Sequence, residues 1–370
     1  MPEPKEAASR AREVLGLLGF LLIATAQVSN MILARGVAGS VPPFSIAFFR
    51  WSIVALGLLP AVVMALREKP GALRGQTPGI VLAGFLGMFV CGGPVYVAGV
   101  TTSAINLSLI MALAPLVVLL FSFVSGQEAI HRSQIIGMLL SLAGAGLIIT
   151  RGQGTHGSGV AIGDLLALTA MLGWAGYTLL QNRVSSGVSF LARIGLFAAV
   201  GALFSLPFAI HEIWSAPSAA FSGRAALVYL FAGLVPGLFA YSAYAYLGAK
   251  FGAVSTSLSL YLGPIVSAVL SILFLGEAPT AIHLIGGALS LGGMWLSLQA
   301  KQGASPPYRG IGCLIPKSIK ASSHLDARLA NFAGGVAALL LRSSASLGAT
   351  GVGFAIDLTI RGQLYNILVI

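Results

Sequence analysis

The chain has 370 residues, 57% of them hydrophobic and 8% charged, and 21 Lys and Arg against 10 Asp and Glu leave a net charge of +11. Soluble domains carry roughly a quarter of their residues as charges, so this chain cannot clothe itself for water, and its apolar exterior must face lipid. A soluble protein of this charge would suggest nucleic acid; here the cations sit between apolar runs, which excludes nucleic acid and points to anionic lipid headgroups as the partner.

A polar segment, residues 1–13, holds Lys5, Arg10 and Arg12 and leads into an apolar run from Val14 to Leu33. The run is about 20 residues long, with no small-residue cleavage site behind it, so it is read as a membrane helix rather than a leader. Further runs of spanning length follow at Phe44 to Leu66, Pro78 to Ala98, Thr102 to Val124, Ser133 to Thr150, Ala161 to Leu180, Phe190 to Ile210, Ala225 to Gly248, Ala253 to Leu275 and Ala281 to Gln299. Backbone amides in lipid find partners only within their own segment, so each run is expected to be a helix. The expected fold class is an all-α membrane protein with ten transmembrane helices. Breakers such as Pro42-Pro43, Lys69-Pro70-Gly71 and Gly152-Gln153-Gly154 mark short connections. Most loop cations, among them Arg67, Lys69, Arg74, Arg132, Arg183, Lys250 and Lys301, fall on one side with Lys5. The positive-inside rule then places both termini in the cytoplasm, and the chain in the cell (inner) membrane as a multi-pass protein.

The sequence repeats itself. Laying Tyr96 to Leu147 on Ala245 to Leu296 without a gap puts Gly99 on Gly248, Ala104 on Ala253, Pro115 on Pro264, Glu128 on Glu277, Gly137 on Gly286 and Ser141 on Ser290. Slightly smaller shifts bring Arg35 onto Arg183 and Pro60 onto Pro207. Each copy holds five runs, and an odd number forces the second copy to enter from the opposite face, so two inverted five-helix repeats are expected. The organisation is therefore 1–13 as a cytoplasmic segment, 14–150 as the first repeat, 151–160 as a linker, 161–300 as the second repeat and 301–370 as a tail. The tail is rich in Gly, Ser and Pro and has no counterpart in the repeat, so it reads as flexible or interfacial. An out-of-frame extension would also explain it.

The residues Ala104, Asn106, Ala114-Pro115 and Gln127-Glu128, echoed by Ala253, Ser255, Gly263-Pro264 and Gly276-Glu277, resemble the EamA-like proteins of the drug/metabolite transporter superfamily. The resemblance covers Val14 to Gln299 and departs at Gln127, where the family more often has Gly. It implies a ten-helix bundle of two inverted repeats around a central cavity, and export or uptake of small metabolites; no cofactor is expected.

Arg50, in Phe48-Phe49-Arg50-Trp51, lies well inside the second run. An ion there costs from about 2.5 kcal/mol upward, so something must offset it. Two readings stand: an anion partner for a carboxylate or phosphate on the solute, or a side chain that snorkels outward or ties down a neighbouring helix. Gln27 and Asn30 on the first run, and Trp174, Tyr177 and Gln181 on the sixth, recur at helical spacing on mated helices. As a set they are candidate cavity residues, with plain hydrogen bonding between helices as the alternative for any one of them. Asn106 and Tyr261, on the fourth and ninth runs, join the substrate-binding set. Pro115 and Pro264 each remove a helical hydrogen bond at matching places and are candidate hinges, or static bends. Glu128 and Glu277 read as caps or loop anchors.

No catalytic or metal-binding residues are expected. His131, His156, His211, His283 and His324 are dispersed, and no acidic pair shares a run. The expected function is a transporter that moves a small metabolite, such as an amino acid, a related metabolite or a drug, by alternating access and as an exporter. A membrane enzyme or flippase for a lipid-linked substrate is the alternative. Partners are a small-molecule solute and membrane lipids, with homodimerisation open.

Overall fold

The computed structural model describes residues 4–114, 116–118, 120, 132–151, 162–181, 184, 187–244, 253–277 and 279–302. The chain divides into two units, Met1–Gly303 and Ala304–Ile370, and every described residue lies in the first. The expectations for the tail, for Pro115 and for Gln127-Glu128 therefore lie outside the described residues.

All described elements are helical. The first repeat holds α1 (Pro4–Gly36), α2 (Pro43–Gly57), α3 (Leu59–Glu68), α4 (Thr77–Gly84), a π-helical stretch Phe85–Val90, α5 (Gly93–Ala98), α6 (Ala104–Met111) and α7 (Arg132–Arg151). The second holds α8 (Ile162–Gln181), α9 (Phe190–Ser215), α10 (Pro217–Ala220), α11 (Gly223–Ala232), a second π-helical stretch Gly233–Phe239, α12 (Ala253–Leu275) and α13 (Ala281–Gln302). Each of the ten apolar runs thus contains helix. Among the described residues, four helices are long and apolar enough to cross a membrane: Thr77–Ala98, Ile162–Gln181, Phe190–Ser215 and Gly223–Tyr244. The bent pair of α2 and α3 makes a fifth when taken as one span; a shorter apolar helix begins with α6, and others lie within α7, α12 and α13. Leucines, isoleucines and phenylalanines on the outer faces stand open, such as Leu203, Leu227, Leu273 and Phe274, as a lipid-facing surface requires.

The second run is not one straight helix. It breaks at Leu58 and turns by 47° between α2 and α3, because Pro60 sits in the first turn of α3 and withholds a backbone donor. Its mate Pro207 lies inside the unbroken α9, as Pro264 lies inside the unbroken α12. The fourth run is interrupted at residues 112–113, where Leu113 N bonds to Ile110 O rather than continuing the α-helical register.

Serines terminate several helices at their start: Ser103, Ser189 and Ser222 accept from the backbone N–H three residues on, in α6, α9 and α11. Two carboxylates do the same work between repeats. Glu212, in the last turn of α9, accepts from Phe44 N at 3.1 Å and Ser45 N at 2.8 Å at the start of α2. Glu277 accepts from Ala104 N at 3.1 Å at the start of α6.

The repeat is visible in the packing of α7 against α13. Ser141 Oγ donates to Ser290 O at 2.8 Å, and Ser290 Oγ returns the bond to Ser141 O at 3.3 Å. A Cβ on Gly144 would come within 2.5 Å of Gly286 O, and one on Gly293 within 2.4 Å of Gly137 O. Residue numbers rise along α7 as they fall along α13, so these mated helices run antiparallel with reciprocal contacts. That is the relation a two-fold axis across the helices produces. The two π-helical stretches are mates as well. The first packs on α8 and α9 and the second on α1 and α2, each against the leading spans of the other repeat.

Candidate functional site

Arg50 is the eighth of the fifteen residues of α2, so its side chain projects from mid-helix into the bundle. It is only 6% exposed. Its Nη1 donates to Asn30 Oδ1 on α1 at 2.8 Å and to the Tyr96 hydroxyl on α5 at 3.2 Å, and its Nη2 donates to Pro236 O at 3.3 Å. Tyr96 in turn donates to Asn30 Oδ1 at 2.6 Å. A guanidinium has no acceptor, so the Asn30 atom facing it must be the amide oxygen. The Pro236 carbonyl belongs to the second π-helical stretch, so the arginine ties the two repeats together. π-Helical turns frequently occur at functional sites, because the widened turn re-aims backbone groups.

The guanidinium also lies over the Trp51 ring, 4.5 Å from its centroid. From Trp51 a line of rings crosses to the second repeat: Tyr241 at 6.0 Å, then Trp174 at 6.2 Å, Tyr177 at 5.2 Å and Phe197 at 5.6 Å between successive centroids. Asn30 and Arg50 are bonded to each other, and the line of rings joins them to Trp174 and Tyr177. Gln27 lies nearly one turn before Asn30 on α1 and is half-buried. Gln181 sits at the far end of α8, where its carbonyl accepts from Arg193 Nη1 at 2.8 Å. Tyr261 lies on α12 with its side chain outside the described residues.

Asn106 belongs to a different cluster. It is in the first turn of α6, and its Nδ2 donates to Thr102 Oγ1 and Asp164 Oδ1, both at 3.3 Å. Thr102 also donates to Asp164. On the other side, Asn106 Oδ1 meets His283 Nε2 at 2.9 Å, while His283 Nδ1 accepts from Thr280 N at 3.0 Å. That backbone donor fixes the neutral tautomer with its hydrogen on Nε2, so His283 donates to Asn106. Beside it, Arg35 Nε pairs with Glu277 Oε1 at 2.8 Å and Arg35 Nη1 reaches Gly99 O at 3.1 Å. This belt of buried and half-buried polar groups joins the ends of α1, α5, α6, α8, α12 and α13. Glu277 is an anchor between helix ends, as its place in the sequence suggested.

Sequence reasoning missed Trp51, Tyr96, Pro236 and Tyr241 around Arg50, and Thr102, Asp164 and His283 around Asn106. A buried arginine demands acceptors, so a phenol or amide on a neighbouring span was the signal available. A carbonyl freed at a π-helical turn has no such signal. Among the described residues, no carboxylate lies within ion-pair distance of Arg50, and no three His, Cys, Asp or Glu side chains gather as metal ligands.

The EamA-like transporter family matches the sequence twice, over residues 14–150 and 161–299. The chain belongs to the EamA-like transporter family. The two matches coincide with the two repeats. Curated relatives include the uncharacterized transporter YdfC of Bacillus subtilis (strain 168), 29% identical over 68% of this chain and 80% of that one. The probable terminal-alkyne amino-acid exporter of Streptantibioticus cattleyicolor is 29% identical over 74% of this chain and 94% of that one. A solved crystal structure, 25% identical, superposes with a TM-score of 0.53 over 79% of this chain and 98% of that one. Family and relatives alike point to a membrane transporter, and that class of protein implies a small-molecule solute.

Proposed function

We propose that this transporter carries a small solute with an anionic group, and that Arg50, with Asn30 and the aromatic line from Trp51 to Tyr177, forms the solute site. The observation that carries this reading is a buried guanidinium whose bonded partners are all neutral: an amide, a phenol and a carbonyl. A charge in lipid costs from about 2.5 kcal/mol upward, and neutral acceptors offset only part of that. A visiting anion supplies the rest. The ties from Arg50 to both repeats support a site on the path between them, near the middle of the bundle where inverted-repeat carriers bind their solutes. Ten spans in two inverted sets of five, both termini in the cytoplasm of the cell membrane, and alternating access complete the picture. Export is the proposed direction, since a relative is named as an amino-acid exporter. Pro264, and its mate Pro115, are proposed as the hinges.

A metabolite panel screened by thermal unfolding of the purified protein tests the reading. A ligand at 100 times its Kd stabilises the folded state by about 2.7 kcal/mol. The best stabiliser then goes into counterflow in proteoliposomes. Stabilisers confined to cations, or an unaltered flux of an anionic solute with Arg50→Ala, would remove the basis for the site.

A further inference from the structure

The five N–H donors of Arg50 are used unevenly. Nη1 donates to Asn30 Oδ1 and the Tyr96 hydroxyl, and Nη2 donates to Pro236 O. Nε has no partner among the described residues, although it is sealed from solvent. Nε and Nη2 present their hydrogens along one edge of the planar guanidinium. That edge is the fork that meets a carboxylate through two parallel N–H···O bonds. An arginine held only for packing gains nothing from leaving a buried donor unbonded, and such an orphan costs about 1–3 kcal/mol.

We propose that the free Nε/Nη2 edge of Arg50 is the binding fork for a single carboxylate on the solute, with Asn30, Tyr96 and the Pro236 carbonyl holding the opposite side of the guanidinium in place. This deepens the transporter reading and rests on it. The bonds to Asn30, Tyr96 and Pro236, with the Trp51 ring 4.5 Å from the guanidinium carbon, hold the group in place before the anion arrives. The fork takes one carboxylate rather than a phosphate dianion because the site offers one positive charge. Among the described residues, Arg35 is paired with Glu277, and Arg193, whose Nε is likewise buried without a partner, stands at the start of α9 with its Nη1 on the Gln181 carbonyl and its guanidinium over the Phe190 ring, so it adds no charge to the cluster of Asn30, Tyr96 and Pro236 around Arg50. A dianion would keep one charge buried and unanswered. The register that puts Pro60 on Pro207 puts Phe197, not an arginine, at the mate of Arg50.

The test uses the purified full chain and two probes of the same shape, benzoate and its uncharged amide, benzamide, with inorganic phosphate as a third. Thermal unfolding of the unaltered protein is followed against the concentration of each. Benzoate is expected to raise Tm in a saturable way while benzamide and phosphate do not, a comparison that needs no variant. Arg50→Lys keeps the charge but loses the fork, and should weaken the benzoate response by at least about tenfold, or about 1.4 kcal/mol. Benzamide acting as well as benzoate, no benzoate response at all, or an unchanged response in Arg50→Lys overturns the fork. If an uncharged solute is instead found to stabilise the protein and to be carried in counterflow, the fork is wrong while the transporter reading stands.

Discussion

Asn30→Asp separates an arginine kept for a solute from one that only braces helices. The amide oxygen of Asn30 lies 2.8 Å from Arg50 Nη1 and 2.6 Å from the Tyr96 hydroxyl, so an isosteric carboxylate would fall on two donors already in place. A pair of unit charges about 4 Å apart gains roughly 4 kcal/mol at an effective dielectric of about 20. Desolvating the new carboxylate takes back much of that, leaving a net gain of about 1–2 kcal/mol. The variant should therefore unfold at a temperature equal to or above that of the parent protein. The same change neutralises the guanidinium that the anion needs, and an effect of about 2.8 kcal/mol would weaken benzoate binding roughly a hundredfold. Thermal unfolding with and without benzoate reads both effects in one experiment. A variant that is stabilised and still responds to benzoate like the parent refutes the reasoning, because the arginine's charge would then be irrelevant to the ligand.

The helix pair of α7 and α13 gives a second prediction: Gly144→Leu or Gly293→Leu drives a side chain into a backbone carbonyl within 2.5 Å and should destabilise by about 1–3 kcal/mol in detergent unfolding, whereas Gly292→Ala, with nothing within 4 Å, should be silent. The Glu212→Ala change removes the acceptor for two backbone donors and the Ser45 hydroxyl at the start of α2, and a loss of about 1–3 kcal/mol is expected by the same measurement. His283→Ala cuts the bonds to Asn106 and Thr280, and should lower Tm while leaving the benzoate response of the folded protein unchanged, because its cluster is separate from that of Arg50.

Much of this architecture was legible in residue order because lipid imposes a simple rule. Apolar runs of spanning length must become helices, and the constant offset between Gly137, Ser141 and their mates Gly286, Ser290 announced a duplication that the reciprocal serine bonds make physical. Arg50 was legible for the same reason, since an ion in the middle of an apolar run is expensive. The rest depended on what lies across the bundle, which periodicity does not encode. Helical spacing put Asn30 and Trp174 on inward faces, but not that Trp51 and Tyr241 stand between them. Asn106 looked like a cavity residue by type, yet it occupies the first turn after the Ser103 cap, level with the helix ends, where Asp164 and His283 claim it. The break at Leu58 and the second π-helical stretch go with backbone donors withheld by Pro60 and Pro236, and a hydropathy reading passes over both, as it does over the proline-free first stretch Phe85–Val90.

Counterflow of labelled benzoate in proteoliposomes addresses the central claim most directly, with the parent protein and Arg50→Lys side by side. Uptake by the parent should be driven by unlabelled benzoate inside, unaffected by benzamide inside, and lost with Arg50→Lys. Flux that ignores the internal anion, or that persists undiminished in the lysine variant, would contradict a carrier built around this arginine.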